Sequence, residues 1–183
     1  MRKLKLQMQM TVDGFVAGPE GQLDWMTFEE DAPLLAFIND LIDTSDTILM
    51  GRKMAGGFLR YWESVKPDSP ELTFAQKMVD TPKIVFSHTI ETIEGKNVSV
   101  ETRSLVEAIN QLKSEPGKDL LVYGGASFVS SLLDHDLLDE LHLFINPVAI
   151  GGGMQIFKNR KPLKLTGSTA YDGGKVVNTY RVG

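Results

Sequence analysis

The sequence predicts an open α/β fold in which a mixed, mostly parallel sheet lies between helices on both of its faces. Short apolar segments typical of buried strands alternate with segments of helical period along most of the chain. Residues 163–182 instead have the pattern of a terminal antiparallel hairpin, with Asp172, Gly173 and Gly174 at its turn. With 183 residues, 42% of them hydrophobic, the chain has the size and composition of one folded domain spanning residues 1–183.

The first part of the chain alternates strand and helix. Residues 4–10 alternate apolar and polar side chains, which indicates a strand with one buried face. The glycine-rich segment TVDGFVAGPEGQLDW predicts a long loop. Pro33 suits the first turn of a helix that continues through Asp43. The segments DTILMG and RKMAGGFLRYW then predict a short strand that leads into a helix.

The same alternation continues after a surface connection, VKPDSPE. Ser104 is expected to cap a helix that Pro116 and Gly117 stop. A further strand, LLVY at 120–123, leads through a glycine pair into a helix from Ser127. Other strands are predicted at three places: residues 83–87, residues 97–101, and the segment DELHLFINPVAIG, which Pro147 and the glycines at 151–153 end.

Composition and charge exclude several classes of protein. A formal net charge of −5 argues against a nucleic-acid surface, because neutralising phosphates requires clustered Lys and Arg. No apolar run approaches the roughly 20 residues that cross a bilayer, and MRKLKLQMQM is typical of a first strand rather than a signal peptide. We therefore expect a cytoplasmic protein. The chain has no cysteine and its three histidines lack metal-ligand spacing, so we expect no metal site.

Three predicted strands end in small or polar residues at the carboxyl edge of the sheet, where ligands of open α/β sheets collect. These ends are Met50-Gly51-Arg52, Phe86-Ser87-His88 and Tyr123-Gly124-Gly125. Two of them lead into predicted helices, whose N-termini bind phosphates through free N–H groups and the helix dipole. Arg52 adds a fork of donors suited to a phosphate group. Three such ends in one sheet predict a dinucleotide site.

The order and spacing of these motifs resemble the dihydrofolate reductase-like superfamily. The resemblance is closest to the reductase domain of bacterial riboflavin biosynthesis, the RibD C-terminal domain. It covers nearly the whole chain and rests on TVDGFVAG, ILMGRKM, KIVFSHT, LLVYGGASFVSSLLDHDLLDELHLFINPVAIGGG and the terminal hairpin. The resemblance implies a three-layer fold and a reductase that transfers hydride from NADPH.

The resemblance also implies which residues contact NADPH. Arg52 corresponds to the arginine that selects the 2′-phosphate, and Gly51 and Lys53 flank it at the start of the helix. Ser87 and His88 fall where the family holds the adenosine ribose and its phosphate. The remaining cofactor residues are expected around the pyrophosphate and the nicotinamide: Val16, Ala17, Tyr123, Gly124, Gly125, Ala126 and Ser127.

The resemblance identifies the substrate-binding and proton-donating residues less directly than the cofactor-binding residues. Folate reductases hold the pterin with a carboxylate on the first helix; counting back from the Gly-Arg motif reaches Pro33, whereas counting forward from Trp25 reaches Glu30 or Asp31. We therefore name Asp31 and Glu30 as catalytic candidates, although an acidic helix start also suits the helix dipole. Substrate contacts are predicted for Gln9, Asp13 and Trp25. Where riboflavin-pathway reductases have a glutamate before the paired glycines, this chain has Tyr123.

Two functions are compatible with these residues. The first is an NADPH-dependent reductase of a small heterocycle, similar to 5-amino-6-(5-phosphoribosylamino)uracil reductase of riboflavin biosynthesis or to dihydrofolate reductase. The alternative is a catalytically inactive NADP-binding or sensing module on the same fold. The resemblance further implies a homodimer, with the hydrophobic strand within residues 137–150 pairing across the dimer.

Overall fold

One sheet of eight strands organises the protein in a computed structural model that describes residues 1–27 and 31–183. The strand order is β4-β3-β2-β5-β1-β6-β8-β7. The strands of the described chain are β1 (Leu4–Thr11), β2 (Ser45–Gly51), β3 (Lys83–Phe86), β4 (Val98–Glu101), β5 (Asp119–Gly124), β6 (Glu140–Asn146), β7 (Leu163–Ala170) and β8 (Val176–Val182). The helices are α1 (Ala32–Asp43), α2 (Arg52–Glu63), α3 (Leu72–Asp80), α4 (Leu105–Ser114) and α5 (Ala126–Asp134).

Strand direction follows the prediction. The first six strands pair in parallel, and β8 pairs antiparallel with both β6 and β7. Parallel neighbours need crossover connections, and the helices between the strands supply most of them. The mixed, mostly parallel sheet with a terminal antiparallel hairpin is therefore confirmed.

The two faces of the sheet carry different helices. On one face, which we call the α1 face, α1, α2 and α3 pack on Ile48, Met50, Val85 and Leu121. On the other face, which we call the α5 face, α4 and α5 pack on the apolar side chains of β1. Because successive strand residues point to opposite faces, Leu4, Leu6, Met8 and Met10 lie on the α5 face. The polar partners of that alternation, Lys5, Gln7 and Gln9, therefore lie beneath α1.

Helix α3 follows directly after the predicted surface connection, and no helix was predicted there. It has nine residues, and its N-cap, Glu71, makes no side-chain capping hydrogen bond. Its apolar residues, among them the buried Ala75 and Met78, pack against α2 and the sheet. A short helix without a capping residue depends on this tertiary packing, since isolated helices of such length are marginal in water.

Strand β6 is hydrogen-bonded on both edges, to β1 on one side and to β8 on the other. The expectation that the strand within residues 137–150 pairs across a dimer is therefore wrong, because it has no free edge. Within the described residues, the outermost strands are β4 and β7. In β7, the residues from Lys164 to Ala170 are all exposed. A dimer that pairs through strand edges must use one of these two strands.

No helix among the described residues has both the length and the apolar character that spanning a membrane would require.

A buried lysine forms hydrogen bonds with the C-terminal end of α3. Lys83, at the start of β3, is 2% exposed. Its Nζ donates hydrogen bonds to the carbonyl oxygens of Met78, Val79 and Thr81, at 2.7–2.8 Å. These are carbonyls that a helix C-terminus otherwise leaves without partners. Burial lowers the pKa of Lys83 below its ordinary value.

We expect Lys83→Met to lower the free energy of unfolding by about 2–3 kcal/mol, because it removes charge-assisted bonds and leaves buried carbonyls unpaired. Because the folded protein binds this proton more weakly than the unfolded chain, wild-type stability relative to the variant should rise with pH as pH approaches 10.5. Urea titrations at several alkaline pH values measure both effects. Lys77→Met, which removes contacts of a partly exposed ammonium with Asp43 and Asn39 near the protein surface, is the control and should cost about 1 kcal/mol or less. Equal losses in the two variants would contradict the proposed role of Lys83.

Candidate functional site

The three strand ends singled out in the sequence lie side by side, because β3, β2 and β5 are neighbours in the sheet. Gly51 is opposite Phe86 in the β2–β3 register, and Met50 is opposite Gly124 in the β2–β5 register. Helices α2 and α5 start immediately after β2 and β5, one on each face of the sheet. Two helix N-termini therefore meet at one point of the carboxyl edge.

Both of these helices begin with a glycine N-cap. Gly51 caps α2 and Gly125 caps α5, and neither helix has a side-chain capping hydrogen bond. By contrast, Asp31 caps α1 and Ser104 caps α4 through side-chain oxygens. The first-turn N–H groups of α2 and α5 thus receive no acceptor from a cap side chain, which is the arrangement that binds anions at helix N-termini.

Close packing at this point requires glycine. A Cβ on Gly51 would lie 2.8 Å from Cβ of Phe128 in α5. A Cβ on Gly124 would lie 2.9 Å from Sδ of Met54 in α2, and Gly124 has a φ of +138° that side chains disfavour. A cis peptide bond joins Gly124 to Gly125. The glycines let α2 and α5 start against each other with their backbones open to a ligand.

Two cationic side chains lie where the N-termini of α2 and α5 meet. Arg52 and Lys53, the first residues of α2, are both exposed, and neither forms an ion pair within the described part of the chain. Ala126 and Ser127 open α5 beside them, and Ser127 is exposed. Charge and free N–H groups therefore converge, as a phosphate site requires.

The end of β3 has a tighter local structure. The buried Ser87 hydroxyl oxygen accepts hydrogen bonds from the N–H groups of Thr89 and Ile90, so it closes a turn. His88 is exposed, and its Nδ1 lies 3.0 Å from the carbonyl oxygen of Thr102. Of the two predicted ribose-side residues, His88 is the one that presents its side chain to solvent.

The first loop is bound to the glycine-rich loop after β6. Ala17 pairs with Met154, and Val16 donates its N–H to the Met154 carbonyl at 2.8 Å. The Asp13 carboxylate accepts from the N–H groups of Ile150 and Gly151. Hydrogen bonding by the Thr11 side chain and then by these N–H groups holds the pKa of Asp13 below its usual range. Asp13 is therefore a brace between two loops, and Val16 and Ala17 are buried beneath them.

Tyr123 points away from the helix α5 N-terminus. Its ring packs on Phe58 of α2 at a centroid distance of 5.4 Å, on the α1 face. Its hydroxyl is buried beside the Gln7 side chain, and burial raises the pKa of Tyr123 well above its usual range, so the phenol stays neutral. Gln9 lies on the same face, partly exposed, and its Oε1 accepts a hydrogen bond from Asn146 at 2.9 Å. The α1 face thus carries a second set of polar groups next to the phosphate-side residues.

Residues 2–177 match the RibD C-terminal domain family. The chain belongs to this family. The Bacillus subtilis protein YyaP, which is uncharacterized, is 32% identical over 182 residues, covering 98% of this chain and 94% of YyaP. The riboflavin biosynthesis protein RibD of Corynebacterium ammoniagenes is 24% identical over 177 residues, covering 90% of this chain and 49% of RibD.

Solved structures share the fold of this RibD C-terminal domain protein. A Shewanella protein named for riboflavin biosynthesis superposes with a TM-score of 0.74 at 23% identity, covering 100% of this chain and 99% of that protein. The deaminase/5-amino-6-(5-phosphoribosylamino)uracil reductase of Thermotoga maritima gives 0.70 at 20% identity, covering 100% and 57%. Dihydrofolate reductase of Enterococcus faecalis, complexed with NADP(H), gives 0.64 at 16% identity, covering 99% and 96%. The dihydrofolate reductase-like fold is confirmed.

The candidate proton donors of this RibD C-terminal domain protein lie at the start of α1. Glu30 lies outside the described residues. Asp31 is buried, and both of its carboxylate oxygens accept backbone hydrogen bonds, from Leu34 and from Asp172 in the β7–β8 turn, each at 2.9 Å. It therefore joins the start of α1 to the terminal hairpin. Trp25 donates its indole N–H to the Gln22 carbonyl within its own loop.

Sequence reasoning missed four residues that the structure places in or beside the site: Gln7, Met54, Phe58 and Asn146. One pattern could have found Gln7. In the central strand of a sheet covered on both faces, a polar residue at a buried position is unusual, and β1 carries two glutamines on the α1 face. Met54 and Phe58 had no such pattern, because their importance comes from contacts with Gly124 and Tyr123, which only the fold brings near.

We expect Asp31→Ala to lower the free energy of unfolding by about 2–3 kcal/mol, since it removes a helix cap and the bond to the hairpin turn. Asp31→Asn keeps one capping oxygen and should cost about 1 kcal/mol or less. Urea denaturation compares the two. A catalytic carboxylate that contributes nothing to folding would give two variants as stable as the wild type, and that result would contradict the capping role.

Proposed function

We propose that this protein is an NADPH-dependent reductase of a small heterocyclic substrate. The observation that carries the proposal is the meeting of two glycine-capped helix N-termini, α2 and α5, beside the exposed Arg52 and Lys53. Such a point offers several N–H donors and two cations to an extended phosphorylated ligand. In support, two of the similar structures are reductases by name, and one of these is a complex with NADP(H).

The hydrogen-bond donors and cations at this site match the separate chemical groups of NADPH. The first-turn N–H groups of α5, after Gly124 and Gly125, would hold the pyrophosphate, with Ala126 and Ser127 beside it. Arg52 and Lys53 would hold the 2′-phosphate, and His88 is exposed at the next strand end for the adenosine ribose. Val16 and Ala17 lie under the braced loops, where they would pack on the nicotinamide. NADPH supplies the hydride, and the chain positions it and excludes water.

The substrate would lie on the α1 face, beside Gln9 and the Tyr123 ring. The cofactor residues follow Tyr123 directly in sequence, so the two ligands would meet at the end of β5. A hydride acceptor carbon, such as that of a C=N or C=O group, needs to approach the nicotinamide closely, which adjacent subsites achieve. Asp31, whose two carboxylate oxygens accept backbone hydrogen bonds from Leu34 and Asp172, is not assigned the proton, which water can deliver.

A second candidate function is an inactive NADP-binding or sensing module. One observation favours it. At the start of the first helix, both carboxylate oxygens of Asp31 accept hydrogen bonds from backbone N–H groups. A sensor would bind NADPH with the same residues and transfer no hydride. Oxidation of NADPH with any acceptor separates the two functions.

We further propose that the protein works in the cytoplasm as a homodimer and binds neither nucleic acid nor membrane. The net charge of −5 supports the absence of a nucleic-acid surface. Strand β7, exposed along its length at one end of the sheet, supports a contact between two copies there.

We expect NADPH to bind and Arg52→Ala to weaken that binding by about tenfold or more, because charge-assisted bonds to a phosphate are lost. Affinity for NADH, which has no 2′-phosphate, should stay unchanged in the variant. A titration of NADPH fluorescence measures both. Arg60→Ala removes an exposed arginine in the last turn of the same helix and is the matched control. Failure of the wild type to bind either nucleotide would overturn the proposal.

A further inference from the structure

Met54 places a thioether where helices α2 and α5 begin. It is the third residue of α2, and side chains in the first turn of a helix lean towards the helix N-terminus. A Cβ on Gly124 would lie 2.9 Å from Met54 Sδ, and a Cβ on Gly125 would lie 3.6 Å from Met54 Cβ. The Met54 side chain therefore lies against the backbone from which α5 starts.

The backbone next to this thioether carries the N–H groups that open α5. Val129 donates the first hydrogen bond of the helix, to the Gly125 carbonyl at 3.0 Å, so the N–H groups of residues 126–128 precede the helical ladder. The Gly125 cap has no side chain that accepts from them. An oxygen atom attached to Met54 Sδ would lie beside these donors.

Met54 is more accessible than the methionines of the core. The chain has eight methionines and no cysteine, so its sulfur chemistry is that of thioethers alone. Four methionines are only 0–6% exposed: Met8, Met10, Met50 and Met78. Met54 is partly exposed. Met8 also lies beside Gly124, with its Cε 3.7 Å from the position of a Cβ there. Of the two thioethers next to Gly124, Met54 is thus the one that solvent reaches more readily.

Hydrogen peroxide oxidises a thioether by transferring one oxygen atom to it. The sulfur attacks one peroxide oxygen, the O–O bond breaks as the S–O bond forms, and the other oxygen leaves as water with both hydrogens. The sulfur loses two electrons and the peroxide gains them, so no further reactant is needed. The product is a polar sulfoxide. Its oxygen carries partial negative charge and accepts hydrogen bonds, which suits the positive end of a helix dipole.

We propose that Met54 is a modification site, at which hydrogen peroxide forms a sulfoxide whose oxygen binds the N–H groups at the start of α5 and thereby excludes an anionic ligand. The sulfoxide also adds an atom where even a Cβ on Gly124 would collide with the sulfur. The effect on NADPH rests on the proposed reductase, whereas the selective oxidation of Met54 does not. Bound NADPH would cover Met54 and protect it. Methionine sulfoxide reductases, one for each epimer, reverse the change.

The first test measures how fast each methionine is oxidised. The folded chain is treated with hydrogen peroxide, and peptide mass spectrometry follows the sulfoxide at Met54, at the buried Met8 and at the fully exposed Met1. We expect Met54 to react about tenfold faster than Met8 or more, because susceptibility follows exposure. Saturating NADPH should slow the reaction of Met54 about fivefold or more and leave that of Met1 unchanged. Equal rates at Met54 and Met8, or an unchanged rate at Met54 with NADPH bound, would overturn the inference.

The second test asks whether oxidation of Met54 closes the anion site. Affinities for NADPH and for inorganic pyrophosphate are measured before and after the same peroxide treatment. The wild type should lose about tenfold or more in both affinities, since the donors of α5 are taken. Met54→Leu removes the sulfur at similar volume and should keep whatever affinity it had before treatment. Met154→Leu, which removes an exposed methionine from the loop after β6, is the matched control and should lose affinity as the wild type does. Equal losses in Met54→Leu and the wild type would overturn the inference.

Met54→Gln tests the same idea without peroxide, because it places an amide oxygen near the position of the sulfoxide oxygen. We expect it to bind pyrophosphate about fivefold more weakly than Met54→Leu or worse. Equal binding by these two folded variants would overturn the inference. The two proposals also fail separately. A wild type that binds pyrophosphate but not NADPH contradicts only the reductase, and NADPH binding that survives complete oxidation of Met54 contradicts only the modification site.

Discussion

The site depends on the close approach of two helices at the ends of neighbouring strands. Helices α2 and α5 start on opposite faces of the sheet, so their N-termini meet only at its edge. A side chain on Gly51 would collide with Phe128, and one on Gly124 would collide with Met54. Glycine at both positions is thus a packing requirement first. Gly51 is also the N-cap of α2, and Gly125, which follows Gly124, is the N-cap of α5. Neither N-cap has a side-chain oxygen, so backbone N–H groups at both helix starts are left available to an anion.

The alternation of a strand then separates the two halves of the site. Side chains of successive strand residues point to opposite faces. At the end of β5, the Tyr123 side chain packs on Phe58 on the α1 face, while Gly125 begins α5 on the other face. One strand end therefore carries a residue for each of two ligands, and no separate domain is needed to bring them together. The Asp13 brace holds the loops after β1 and β6 over the same edge.

Much of the fold follows from local patterns. The period-two alternation of β1, Pro33 in the first turn of α1, the capping residue Ser104 and the glycine turn of the hairpin are all short-range features, and the structure contains each of them. The features of the fold that could not be predicted from the sequence depend on long-range contacts. Helix α3 depends on packing against α2, and the two occupied edges of β6 depend on a hairpin that follows it in the chain.

The site, like the fold, has features that the sequence predicts and features that only the three-dimensional structure reveals. The glycine motifs could be located because they combine a strand end with a helix start, both visible in sequence. The side of the sheet to which Tyr123 points could not, since one residue of register exchanges the faces. Asp31 shows a further limit: a carboxylate at the start of a helix is equally suited to catalysis and to capping, and only its bond to Asp172, 141 residues away, resolves its position in the fold.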